Sequence, residues 1–306
     1  MAEHHFVPKK FYNTIGSHEP ALSIEDGDTV STWTLDARGG DQNGVKRALP
    51  SNPMTGPIYV NGAEPGDTLA VTFESIVPNR TWGWTADCIL PGLVEPAFAA
   101  QLPTRGRLFW QIDVEKGIAV INNPLPVLGR VTLPLSPYLG CFGVAPPLAQ
   151  AISTATCGPH GGNMDYRGFV EGTTVYFPVF TEGALLFLGD GHALQGDGEI
   201  TGTGIEISMD VRFRVQVLKG KTIRWPRAES KTHLMSVGNA KPLEQALQHA
   251  TTEMVRWLKE DYGLDPVEAS IILGQCVEYE LGNVCNPANT VICKLKKQFL
   301  PKCNQA

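Results

Sequence analysis

The chain has 306 residues, 42% of them hydrophobic, enough to close one large core or two lobes. Its net charge of −6 and pI near 5.7 exclude nucleic acid and anionic membrane as expected partners. The opening MAEHHFVPKKFYN has no apolar stretch and the longest apolar runs are about five residues, as in Ala184 to Leu188. Neither a secretory leader nor a bilayer span is expected, and the cytoplasm is the expected location.

In chain order, residues 29–35 (TVSTWTL) alternate as a half-buried strand does, and 68–77 (TLAVTFESIV) repeat the pattern. Between them, NPMTGPIYVNGAEPGD is punctuated by Pro and Gly into turns around one short strand. Trp82 and Trp84 in TWGWTAD either wall a small apolar pocket or pack a loop. A short strand is expected from Gly117 to Asn122, and TTVYFPVF (173–180) and GALLFLG (183–189) read as core strands. The clearest strand signal is Ile205 to Val217. Apolar residues hold every second position there, with Glu206, Asp210, Arg212 and Arg214 between them.

Helices come late. Pro242 to Tyr262 places Ala246, Ala250, Met254 and Trp257 on one face. Asp265-Pro266-Val267-Glu268 opens a second helix with an N-cap acid, a first-turn proline and a capping-box glutamate. That helix is expected to end near Gly282, and TVICKLKK follows as a last strand. This order predicts a mainly β fold: a β-sandwich or barrel-like body over 1–218, and a smaller α+β C-terminal part over 219–306 packed on it.

The chemistry concentrates between Gly158 and Gly204, where 12 of the 32 glycines fall. Leu188 to Glu199 reads LGDGHALQGDGE. Asp190 and His192 are two apart, so extended backbone turns both to one side, as two ligands of one ion require. Upstream, HGGNMD supplies His160 and Asp165. These segments adjoin core strands, so imidazole and carboxylate groups converging at a sheet edge suit zinc or another borderline divalent ion. Calcium is the alternative for such acid-rich loops, and the two histidines speak against it. The plainer reading is a pair of D-G turns with their charges in water.

Three segments, TGPIYVNGAEPGDTLAV (55–71), HGGNMD (160–165) and LGDGHALQGDGEITGTGIE (188–206), resemble the acetamidase/formamidase family. The resemblance runs from about Thr29 to Pro287, is to the shorter, acetamidase-like branch, and departs at Tyr138 to Phe142 (YLGCF). It implies a β-rich homodimer or higher homo-oligomer, and a metal-dependent amidohydrolase acting on small linear amides such as formamide or acetamide. It also raises Asp36, at the end of TVSTWTLD, as a further ligand candidate. Glu199 is then the expected general base, with Glu206 as the next carboxylate. Asn163 and Gln195 are candidates to orient the amide.

Two other readings stay open. Cys157, three residues before His160, could serve as the nucleophile of a cysteine amidase. Alternatively the chain is a non-enzymatic β-sandwich module with a structural calcium ion. The seven cysteines are odd in number and form no C-x-x-C, so neither a disulfide framework nor a cysteine–zinc knuckle is expected.

Overall fold

The computed structural model describes residues 1–301; Cys303 lies outside them. The chain is mainly β with a small helical part. Among the described residues the strands form sheets of nine, six, four and two members, with no closed barrel. No helix there is long and apolar enough to cross a membrane.

The alternating stretches become the centre of the nine-stranded sheet. Thr68–Pro78 pairs antiparallel with Met209–Leu218 along its length. Met209, Val211, Phe213, Val215 and Val217 are buried while Asp210, Arg212, Arg214 and Gln216 point away from the core, so burial of one face fixes the register. The expected strand from Ile205 begins late, at Met209. Ile205 to Ser208 leave that sheet: the Ile205 carbonyl accepts from Ala193 N, and Glu206 bridges to both Trp84 and His192.

The expected boundary near residue 218 is not a break in this sheet. Thr174–Pro178 pairs with Arg227–Glu229, and the ladder continues through His233–Ala240, Asn289–Lys296 and Glu278–Leu281. The helix Leu243–Tyr262 covers this extension with Ala246, Ala250, Met254, Trp257 and Leu258, in an apolar cluster of its own. Arg227, buried on the strand, meets Glu253 of that helix at 2.8 Å. The second helix has the expected capping box but stops at Cys276. Glu278–Leu281 instead pairs with Asn289–Lys296, because ladder bonds and burial along that edge outweigh helix extension.

The six-stranded sheet carries Asp190 and His192. Its two innermost strands, Tyr138–Gly143 and Leu186–His192, are buried at every residue and pair antiparallel. Phe142 packs edge-on against Phe73 and Phe177 of the nine-stranded sheet, joining the two layers into one core.

Candidate active site

Asp190 and His192 lie at the end of Leu186–His192, and the neighbouring strand places Tyr138 opposite His192. Asp165 follows the strand Gly161–Asn163, and its backbone N–H donates to the Gly140 carbonyl. Asp165, Asp190 and His192 each present a ligand atom within 4.8 Å of the others, and His192, Glu199 and Glu206 do the same. All five side chains are buried. Asp190, Glu199 and Glu206 form the floor of a cavity of about 720 Å³, whose walls include Asn52, Trp84, Asn163 and Asn286; Asp165 and His192 adjoin them without lining it.

Hydrogen bonds fix which atoms face the centre. The Gln195 amide nitrogen donates to the carbonyls of Asp165 and Gly282, at 2.8 and 3.2 Å. Its oxygen must therefore face the Tyr138 hydroxyl, 2.5 Å away, and accept its proton. With that proton committed, Tyr138 accepts from His192 Nδ1 at 2.9 Å. His192 Nε2 is left facing the acids: Glu206 Oε1 lies at 3.1 Å and Asp190 Oδ1 at 3.6 Å, neither in hydrogen-bond geometry. Asp165 Oδ1, Asp190 Oδ1 and Glu206 Oε2 are likewise buried without a partner.

The remaining oxygens are held from outside. Asn52 donates to Asp190 Oδ2 and Asn286 to Asp165 Oδ2, at 2.9 and 2.7 Å. Gly204 N donates to Glu206 Oε1, and the Cys285 thiol to Glu199 Oε2 at 3.1 Å. Burial and then the Glu199 and Asp190 charges raise the Asp165 pKa, and burial raises that of Glu199. Burial, partly offset by His192, pushes Glu206 up to about 8. Burial opposes charge on His192 too, but Glu206, Tyr138 and Asp190 outweigh it and raise its pKa. Packed acids that resist ionising together, around unpartnered lone pairs, are suited to a cation.

The backbone is strained at the same place. Ser51, Asn52, Asp165, Asp190 and Glu199 all have positive φ, between 47° and 77°. Such conformations persist where surrounding structure imposes them, and they gather at functional sites. Asp190 therefore reaches His192 through a left-handed residue, not through the straight-strand alternation read from its sequence.

Not every expected residue is brought here. His160 joins neither group of ligand atoms. Its ring lies beside Gly158 and Gly162, both nitrogens lack partners, and burial alone pushes its pKa down to about 4. Asp36 is buried against Arg80, 2.8 Å away, and accepts from Arg38 N and Gly40 N, which uses up its oxygens as ligands. Gln195 is absent from the cavity wall and orients Tyr138 instead, whereas Asn163 does line the cavity. Trp84 is a wall of it; Trp82 stacks under Arg80.

Cys157 sits in the main core, donating to Ala288 O and contacting Thr290 Oγ1, and burial pushes its pKa up to about 12. His160 makes no hydrogen bond to it. Cys157→Ser is therefore expected to keep more than half of wild-type activity, read as initial rates on the folded variant.

Several contributors had little sequence signal. The segment Asn283–Asn286 braces three residues at once: Asn283 holds the Asn163 carbonyl, Cys285 holds Glu199 and Asn286 holds Asp165. A polar, non-periodic turn ending at Pro287, just inside the resembling region, was the only available hint.

The family described as Acetamidase/Formamidase matches residues 148–295. A crystal structure of acetamidase from Yersinia enterocolitica is 34% identical, covering 98% of this chain and 93% of that one, with a TM-score of 0.86. Acetamidase from Bacillus halodurans is 32% identical over 96% of this chain and 98% of that one, with a TM-score of 0.83. Acetamidase of Mycolicibacterium smegmatis is 30% identical over 226 residues, 56% of this chain and 54% of that protein. The chain spans between 51% and 62% of the length of the curated relatives it matches.

Proposed function

Because the chain belongs to the acetamidase/formamidase family, we propose that it is a metal-dependent amidohydrolase. It cleaves the C–N bond of small linear amides to a carboxylate and ammonia. One observation carries this reading: unpartnered oxygens of Asp165, Asp190 and Glu206 are buried around His192, whose Nε2 is unpartnered too, and Asp190 and Glu206 also line the cavity.

Asp165, Asp190 and His192 would hold the ion, with Glu206 closing the set. One imidazole nitrogen among carboxylates suits zinc better than calcium, which takes oxygen. When bound, a zinc ion supplies a Lewis acid for the amide carbonyl and a lowered pKa for a water.

The chain's own groups do the rest. Tyr138 and Gln195 keep the proton of His192 on Nδ1, so Nε2 stays available as a donor atom. Glu199 lines the cavity and accepts through Oε2 from the Cys285 thiol. It takes the proton of the attacking water and delivers it to the leaving nitrogen. Asn163 spends its oxygen on Asn52, which leaves its amide N–H groups for the substrate carbonyl. The cytoplasm is the proposed location, in keeping with the six unpaired cysteines among the described residues.

Ammonia release from a panel of short amides tests this reading. Activity should be lost on chelation and return with zinc. His192→Ala should carry less than about a tenth of the wild-type metal by elemental analysis, since it removes the single nitrogen donor. Equal metal in both proteins, or full turnover after chelation, would sink the proposal.

A further inference from the structure

The cavity is larger than its proposed chemistry needs. At about 720 Å³ it falls in the range of sites for sizeable ligands, whereas formamide or acetamide would fill a small part of it. Its floor is acidic, but its mouth is not: Arg38, Arg105 and Arg107 all line it, in a chain with net charge −6. All three are exposed, and none forms an ion pair with an acid among the described residues, whereas Arg80 and Arg227 are each paired within 2.8 Å.

Two of them are organised. The Arg38 guanidinium carbon lies 5.0 Å from the centre of the Trp84 ring, and that of Arg107 lies 4.6 Å from it. Stacking on an indole restrains a guanidinium while leaving its N–H edge available for a carboxylate fork. Holding two like charges on one ring costs energy: desolvation and then the Arg38 charge lower the Arg107 pKa. An anion in the cavity that both arginines line would relieve that repulsion.

Trp84 also sets the spacing to the floor. Its backbone exchanges both hydrogen bonds with Glu206, at 3.2 and 2.8 Å. Arg107 pairs with Ala86, two residues further along the same strand, and its guanidinium reaches back over the Trp84 ring. A short chain with an amide at one end and a carboxylate at the other would span floor to rim.

Resting on the amidohydrolase reading above, we infer that the preferred substrate is an anionic amide, the half-amide of a short dicarboxylic acid, whose free carboxylate is held by Arg38 and Arg107. The reverse orientation places a carboxylate among Asp190, Glu199 and Glu206 and leaves the arginines unanswered.

Succinamate and its uncharged isostere isocaproamide test this, with acetamide and formamide alongside. A charge-assisted pair is worth about 1.5–3 kcal/mol, so kcat/KM for succinamate should exceed that for isocaproamide by roughly 10- to 100-fold. Raising ionic strength should lower the succinamate value and leave isocaproamide flat. The double variant Arg38→Gln/Arg107→Gln should bring the ratio to about one. Equal rates in the wild type, no salt effect, or an unchanged ratio in the double variant would overturn the inference while acetamide turnover left the amidohydrolase reading standing. Ammonia from none of the four amides would remove both.

Discussion

Gly140→Ala is expected to abolish tight metal binding and to cut kcat/KM by more than about 100-fold in a chain that still folds. Gly140 lies between Leu139 and Cys141, which face Gly191 and Gly189 across the ladder, so it sits beside Asp190. A methyl group there would come within 2.4 Å of Asp165 Oδ1, 2.8 Å of Asp190 Oδ2 and 3.0 Å of His192 Cε1. Long flexible side chains would swing aside; these do not. Asp165 is tied by Asn286, Asp190 by Asn52 and His192 by Tyr138. The strand cannot retreat either, because it is hydrogen-bonded on both sides to Gly161–Asn163 and Leu186–His192. The methyl would therefore take up the space at which the unpartnered atoms aim. Overpacking of this kind costs roughly 1–3 kcal/mol of stability, so melting should fall moderately while elemental analysis shows the ion gone. Wild-type metal content with activity within about twofold would mean that the ion is not held where Asp165, Asp190 and His192 meet.

Local patterns in the sequence foretold local structure, and the site is only partly local. Period-two burial from Met209 to Val217 and the capping box at Asp265 are each written within a few residues, and both are present. The end of the second helix is not, since Val277 to Leu281 choose strand geometry only because Asn289–Lys296 lies alongside. Asp190 and His192, with one glycine between them, do come together, but through the left-handed backbone at Asp190 and not by the alternation their spacing suggested. In HGGNMD the same proximity misled for His160, whose ring turns back along its own hairpin while Asp165 turns inward. Asp36 looked like a free strand-end acid because its partner, Arg80, is far along the chain. Asn52, Tyr138 and Asn286 act across separations that no periodicity records. Glycine content was the nearest proxy: Gly140 and Gly204 exist to let carboxylates and imidazole crowd together, and a Cβ at Gly204 would meet His192 Cγ at 2.6 Å.

Glu199→Gln should lower kcat by roughly 10²–10⁴ while leaving metal content near that of the wild type. Two glutamates border the cavity near His192, and their surroundings separate their roles. Glu206 has one oxygen 3.1 Å from His192 Nε2 and the other buried without a partner, which places it with the proposed metal ligands. Glu199 is held through Oε2 by the Cys285 thiol, which burial and the Glu199 charge keep protonated. It opens to the cavity, where the proposed mechanism brings water and amide together. Glutamine has the same length and tolerates the same backbone as poorly or as well as glutamate, whose φ here is 51°. It can still accept from Cys285, but it cannot take a proton from water. The loss should therefore fall on kcat, with KM moving little, because the carboxylate acts on water and the leaving nitrogen more than on the bound ground state. Joint loss of metal and activity would make Glu199 a ligand. Unchanged kcat would transfer the base role to Glu206, and Glu206→Gln would then have to show the fall without loss of metal.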